Sequence, residues 1–182
     1  MSVDVAYLAI GELEKALSQY EDKLKGIEDT WRAFVEASQA LKGAWDGDSA
    51  RVRIRLDQIQ GVVDELNREL EVLAAKRELG LISEEDYQRL SEDAKKKIAE
   101  LEEKAKALRD KAMQIEARVK YVWARSLTKE RLSKIDLVAL EKRVEDMYSS
   151  GKIDQATYAK MKTEVAIMKA VWDMLNVVEP SV

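Results

Sequence analysis

From Val3 to Trp45 the chain places Val3, Ala6, Ile10, Leu13, Leu17, Tyr20, Leu24, Ile27, Trp31, Phe34, Ser38, Leu41 and Trp45 at alternating steps of three and four, with Ser38 the one polar slot. That spacing is the seam of a heptad repeat. It gathers the apolar side chains on one stripe of an α-helix and leaves the stripe in need of another helix. A strand, with its side-chain period of two, has no use for it. One Pro, 7 Gly and 36% charged residues in a chain of 182 point the same way, to the composition of long helices and coiled coils. The fold class expected is all-α.

Lys42-Gly43-Ala44-Trp45-Asp46-Gly47-Asp48 holds two glycines and two aspartates, which predicts a turn, with Asp48 or Ser49 capping a second helix. The seam of that helix is Val52, Leu56, Ile59, Val63, Leu66, Leu70 and Leu73, with Gly80 placed for a left-handed C-terminal cap. In Gly80-Leu81-Ile82-Ser83-Glu84-Glu85-Asp86-Tyr87, Ser83 reads as an N-cap, Asp86 as a capping-box acid, and Ile82 with Tyr87 as a hydrophobic staple. The device repeats at Gly151-Lys152-Ile153-Asp154-Gln155-Ala156-Thr157-Tyr158, with its cap at Asp154 and its staple at Ile153 and Tyr158. Between the two lies a long third helix with the seam Tyr87, Leu90, Ala94, Ile98, Leu101, Ala105, Leu108, Ala112, Ile115, Val119 and Val122, in which a second consecutive step of four, Ala94 to Ile98, reads as a stutter. Leu127-Thr128 and Ile135-Asp136 each mark a further helix start.

The expected architecture is an elongated antiparallel three-helix coiled-coil bundle over 1–127, with helices at about 4–43, 49–79 and 84–125. A short helix and a C-terminal helical hairpin (about 137–149 and 155–178) follow in 128–182 and pack on the bundle as one domain. At 1.5 Å per residue the long helices measure roughly 60, 46 and 63 Å, so residues from about 115 onward are expected to overrun a tip at Trp45.

Several functions are disfavoured by composition. Without His or Cys the chain lacks the usual zinc ligands, a thiol nucleophile, a Ser-His-Asp triad and the Glu-x-x-His di-iron motif. Glycine-rich phosphate loops are absent, and Asp46 with Asp48 begins a calcium-loop spacing that the following residues do not complete. No enzyme, cofactor, metal or small-molecule substrate is expected. With 31 basic and 35 acidic side chains, no overall field draws the protein to nucleic acid or anionic lipid. Asp4 and Glu12 stand where a signal peptide needs basic and apolar residues, so a cytoplasmic location is expected. Only Asn67 and Asn176 represent asparagine, and with abundant Lys and Glu and no Cys the composition suits a thermophilic protein.

Two surfaces are candidates for function. Segment 118–134 carries Arg118, Lys120, Arg125, Lys129, Arg131 and Lys134 against Glu130 alone, with Tyr121 and Trp123 interleaved. Such a pattern holds phosphates and stacks bases, or sits at an anionic membrane; alternatively Trp123 is core and the basic stems cover neighbouring helices. The last helix carries Tyr158, Met161, Val165, Met168, Trp172 and Leu175 on one stripe and Ile167, Val171, Met174 and Val178 on the next. A helix apolar on two stripes needs two neighbours, so Met161, Ile167, Met168, Val171, Trp172, Met174 and Val178 are candidate contacts to a protein partner or a second copy.

Trp45-Asp46-Gly47-Asp48-Ser49-Ala50 resembles the helical-hairpin tip of the WXG family of small secreted proteins. The resemblance covers residues 1–79 at most and implies a dimeric, non-enzymatic secretion substrate with Trp45 and Gly47 at the tip. The leading expectation is a non-catalytic coiled-coil structural, assembly or adaptor protein working through helix–helix contacts.

Overall fold

Trp45, Ser49 and Val52 continue the three-and-four spacing straight across Gly43 and Gly47, and the helix continues with them. The computed structural model describes residues 3–178, with side chains from 5 to 177. Its elements are α1 (Val3–Glu78), α2 (Glu84–Arg125), α3 (Lys129–Leu132), α4 (Leu137–Ser149) and α5 (Gln155–Val178), with no strand among the described residues. The all-α class is therefore shown. The turn expected at 42–48 is absent: helices predicted at 4–43 and 49–79 are one helix of 76 residues, and there are two long helices rather than three. Neither Gly43 nor Gly47 has a positive φ. A helical glycine costs about 1 kcal/mol against alanine, whereas burying an apolar side chain returns about 1.5–3 kcal/mol, so a stripe kept in phase outweighs two glycines. Ser49 serves no cap; its hydroxyl donates to the Asp46 carbonyl one turn back (3.3 Å), and Asp48 pairs with Arg51 (3.3 Å).

The chain divides into two units, one of residues 41–120 and the other of residues up to 40 with those from 121 on. In the first, the second half of α1 and most of α2 pack as an antiparallel pair. Gly80 ends α1 at φ 70°. The Leu81 N–H donates to the Lys76 carbonyl (2.8 Å) and the Gly80 N–H to that of Arg77 (3.0 Å), which makes a Schellman cap. Ser83 then caps α2, accepting from the Asp86 N–H at 3.0 Å. Its hydroxyl donates to the Asp86 carboxylate at 2.9 Å, a bond that, with Arg89 beside it, holds that carboxyl below its ordinary range. Leu56 and Val63 on α1 and Ala94, Ala105 and Val119 on α2 are buried. The α2 seam differs from expectation at two slots: Leu90 is 38% exposed while its neighbour Ser91 is 4%, and Leu108 is 50% exposed. With Ser91 in the seam the steps run 87, 91, 94, 98, 101 and 105, and the stutter expected at Ala94 disappears. Residues from 115 on do not overrun a tip at Trp45, since no tip exists there; the Trp45 indole N–H donates to Glu116.

In the other unit the end of α2 meets the C-terminal helices. Trp123, Leu127 and Leu132 form a core covered by Ile167, Met168, Val171, Trp172 and Leu175 of α5. Ser126, fully buried, donates to the Trp123 carbonyl (2.7 Å) and accepts from the Gln39 amide of α1 (2.8 Å). Thr128 caps α3 and Asp136 caps α4, as the sequence predicts. Gly151, at φ 71°, repeats the Schellman cap through Lys152 N–H to Met147 O (2.9 Å), and the Asp154 carboxylate accepts from the Thr157 N–H (2.8 Å).

Candidate helix–helix interface

Every side chain from Ile10 to Ala33 is exposed. Along this part of α1 the heptad stripe runs through Ile10, Leu13, Leu17, Tyr20, Leu24, Ile27 and Trp31, each between 48% and 66% exposed. Trp31 stacks on Phe34 with ring centroids 5.4 Å apart. Burial begins abruptly at Ser38, 3% exposed, whose hydroxyl donates to the Phe34 carbonyl (2.7 Å), and at Gln39 with its bond to Ser126.

The stripe changes phase at that point. Up to Phe34 it uses the steps 10, 13, 17, 20, 24, 27, 31 and 34; from Ser38 the covered stripe runs 38, 42, 45, 49, 52, 56, 59 and 63, with Gln39, Asp46 and Gln60 half-buried beside it. Two consecutive steps of four, 34 to 38 to 42, join the halves, so Lys42 is buried and Leu41 is left 48% exposed. The Lys42 ammonium is matched by the Asp46 carboxylate one turn on. A stutter of this kind relaxes the supercoil locally and rotates the seam. In the sequence the 3–45 stripe reads as one seam of the expected bundle, and nothing in its spacing marks the first half as a surface. The usable signal was the phase continuity of Trp45, Ser49 and Val52, which makes α1 one helix too long for its partner.

The basic segment is scattered in its environments. Arg118, Tyr121, Arg125, Arg131 and Lys134 are exposed, Lys120 and Lys129 are half-buried, and Trp123 is core. Lys120 pairs with Glu116 (3.3 Å), Lys134 with Glu130 (2.9 Å), and the Arg125 guanidinium lies 4.3 Å from the centre of the Tyr121 ring. On α5, the candidates Ile167, Met168, Val171 and Trp172 pack against the Trp123 core. Met161 is half-buried and Met174 is 57% exposed; the side chain of Val178 lies outside the described residues. Trp45 and Gly47, the positions of the WXG resemblance, lie within α1, without the hairpin tip that the resemblance implies. Among the described residues no helix is long and apolar enough to cross a membrane, and no group of His, Cys, Asp and Glu side chains is placed to hold a metal ion.

In comparison with known proteins, no family model matches the chain, nor does any curated protein or solved structure. The class defined here is the all-α fold and its exposed heptad stripe.

Proposed function

We propose that this protein is a non-catalytic coiled-coil assembly or adaptor component of the cytoplasm, heat-adapted in composition, that works by pairing the first half of α1 with another helix. The observation that carries this reading is the exposed stripe from Ile10 to Trp31. Scattered surface leucines need no explanation, but seven large apolar side chains aligned in heptads form a continuous patch of the kind that marks interaction sites. Each stands to gain about 1.5–3 kcal/mol on full burial. Helices in proteins draw most of their stability from packing an amphipathic face, so a stretch exposed all round gains order as well as contact from a partner. The other two candidate surfaces offer less: most of the α5 stripe already covers the Trp123 core, and Trp123 itself, the largest stacking ring of the basic segment, is buried in it.

The test places a photo-reactive amino acid at Ala16, beside the seam, in the full-length protein expressed in its own cells. A discrete cross-linked species is expected, and it disappears when Leu17 and Leu24 are both replaced by Glu. No cross-linked species, or one indifferent to those substitutions, overturns the proposal.

A further inference from the structure

Resting on that reading, we infer that the occupant of the exposed stripe is a second copy of this chain, aligned parallel and in register over residues 5–34 as a two-stranded coiled coil. Charge flanking the stripe carries the argument. With Ile10, Leu17, Leu24 and Trp31 at position a and Leu13, Tyr20, Ile27 and Phe34 at d, the e positions are Tyr7, Glu14, Glu21, Glu28 and Val35, and the g positions are Ala9, Ala16, Lys23 and Thr30. In a parallel pair each g residue meets the e residue five places on in the other chain. Lys23 then faces the partner's Glu28, twice per dimer, and the remaining acids face Ala9 and Ala16. No like charges oppose one another. In an antiparallel pair e meets e: overlapping the two stripes sets Glu21 against the partner's Glu21 and Glu14 against the partner's Glu28, three like-charge contacts on one flank. The g flank contains no acid to offset them.

Two further observations agree. Four heptads of core side chains from each of two chains remove on the order of 1,500 Å² of surface, the size of a standard specific interface. The polar face is a poor fit to the alternative apolar phase, an anionic membrane: residues 5–34 hold six acidic and four basic side chains, whereas helices that lie on such membranes are rich in Lys and Arg. The pairing also has a defined end. At Ser38 the stripe changes phase and becomes occupied within the chain, so the second copy has residues up to Phe34 and no more.

The experiment uses the purified full chain, whose lack of cysteine allows single labelling sites at the outward positions Leu8→Cys and Asp22→Cys. Light scattering from micromolar to millimolar protein should show a monomer–dimer equilibrium. Spin-label distances between copies should be short and alike at both sites; an antiparallel pair centred on Glu21 keeps residue 22 close but separates the residue 8 labels by about 40 Å along the axis. Lys23→Glu should weaken dimerisation about tenfold, and adding Glu28→Lys should restore it to within about threefold. Glu28→Lys alone weakens a parallel dimer and tightens an antiparallel one. A mass that stays monomeric, unequal distances, or tightening by Glu28→Lys overturns the inference. If the mass is monomeric while the Ala16 cross-link persists to a different protein, self-pairing fails and the assembly reading stands; if the cross-link is also absent, both fail.

Discussion

Gly43 and Gly47 lie in the middle of α1 with right-handed backbone and nothing within 4 Å of where a Cβ atom would stand. Alanine at either position therefore gains helix propensity without a clash. Gly43→Ala and Gly47→Ala should each raise stability by about 0.5–1 kcal/mol, read from thermal or denaturant unfolding. Gly80→Ala should do the opposite, lowering stability by about 1 kcal/mol, because its φ of 70° is a conformation an L side chain adopts at a cost. If Gly47 occupied the hairpin tip that its sequence neighbourhood suggests, its substitution would share the sign of Gly80. Single residues were readable from sequence where a local device fixes them: Gly80, Gly151, Ser83, Thr128, Asp136 and Asp154 all stand in the cap positions their motifs predict. Gly47 and Asp48 carry equally good local turn chemistry and make no turn, because the pairing of the stripe around them decides the matter and propensity does not report pairing.

The α4–α5 hairpin is held at its turn by a polar and aromatic latch. Tyr148 stacks on Tyr158 with centroids 4.3 Å apart, and the Glu145 carboxylate accepts from both the Lys162 ammonium (2.7 Å) and the Tyr158 hydroxyl (2.8 Å). The hydrogen bond from Lys162, then that from Tyr158, lowers the Glu145 pKa below its ordinary 4.5. The same carboxylate, followed by the Tyr158 hydroxyl, raises that of Lys162 above 10.5. A lowered acid stabilises the folded form fully above its unfolded pKa and loses that contribution as pH falls through the folded one; a raised base stabilises fully below its unfolded pKa and loses it as pH rises through the folded one. The latch should therefore hold from about pH 5 to pH 10, loosening in acid below about 4.5 and in strong base. Near-ultraviolet dichroism of the stacked tyrosines should trace this window, and Glu145→Gln should flatten its acid limb; an unchanged acid limb in that variant would show that other carboxylates govern it. Both helices of this hairpin were legible from their periods and caps. The latch was not, since Glu145 and Lys162 stand seventeen residues apart on different helices and nothing local links them.

At the scale of the molecule, α1 has 76 residues and the helix it pairs with has 42. The surplus is the first half of α1, and an expected break at 42–48 concealed it by supplying a third helix to absorb the stripe. A sequence states the phase of a seam plainly; it does not state which helix answers it. The step of four and four at Ser38 and Lys42 has a consequence for how the length of α1 can vary. On either side of it, seven residues are the natural unit of exchange. Deleting residues 14–20 removes one whole heptad, shortens α1 by roughly 10 Å, and leaves the phase at Ser38 and everything after it as before. The core around Trp123 should then melt unchanged, while any assembly through the stripe weakens as its seam becomes one heptad shorter. Deleting 38–41 removes only four residues, yet it fuses two frames into one uninterrupted reading, and the stripe that should turn inward at that point would offer itself to an outside helix for another turn. The protein thus carries a spacer that tolerates change by sevens and a boundary that tolerates none.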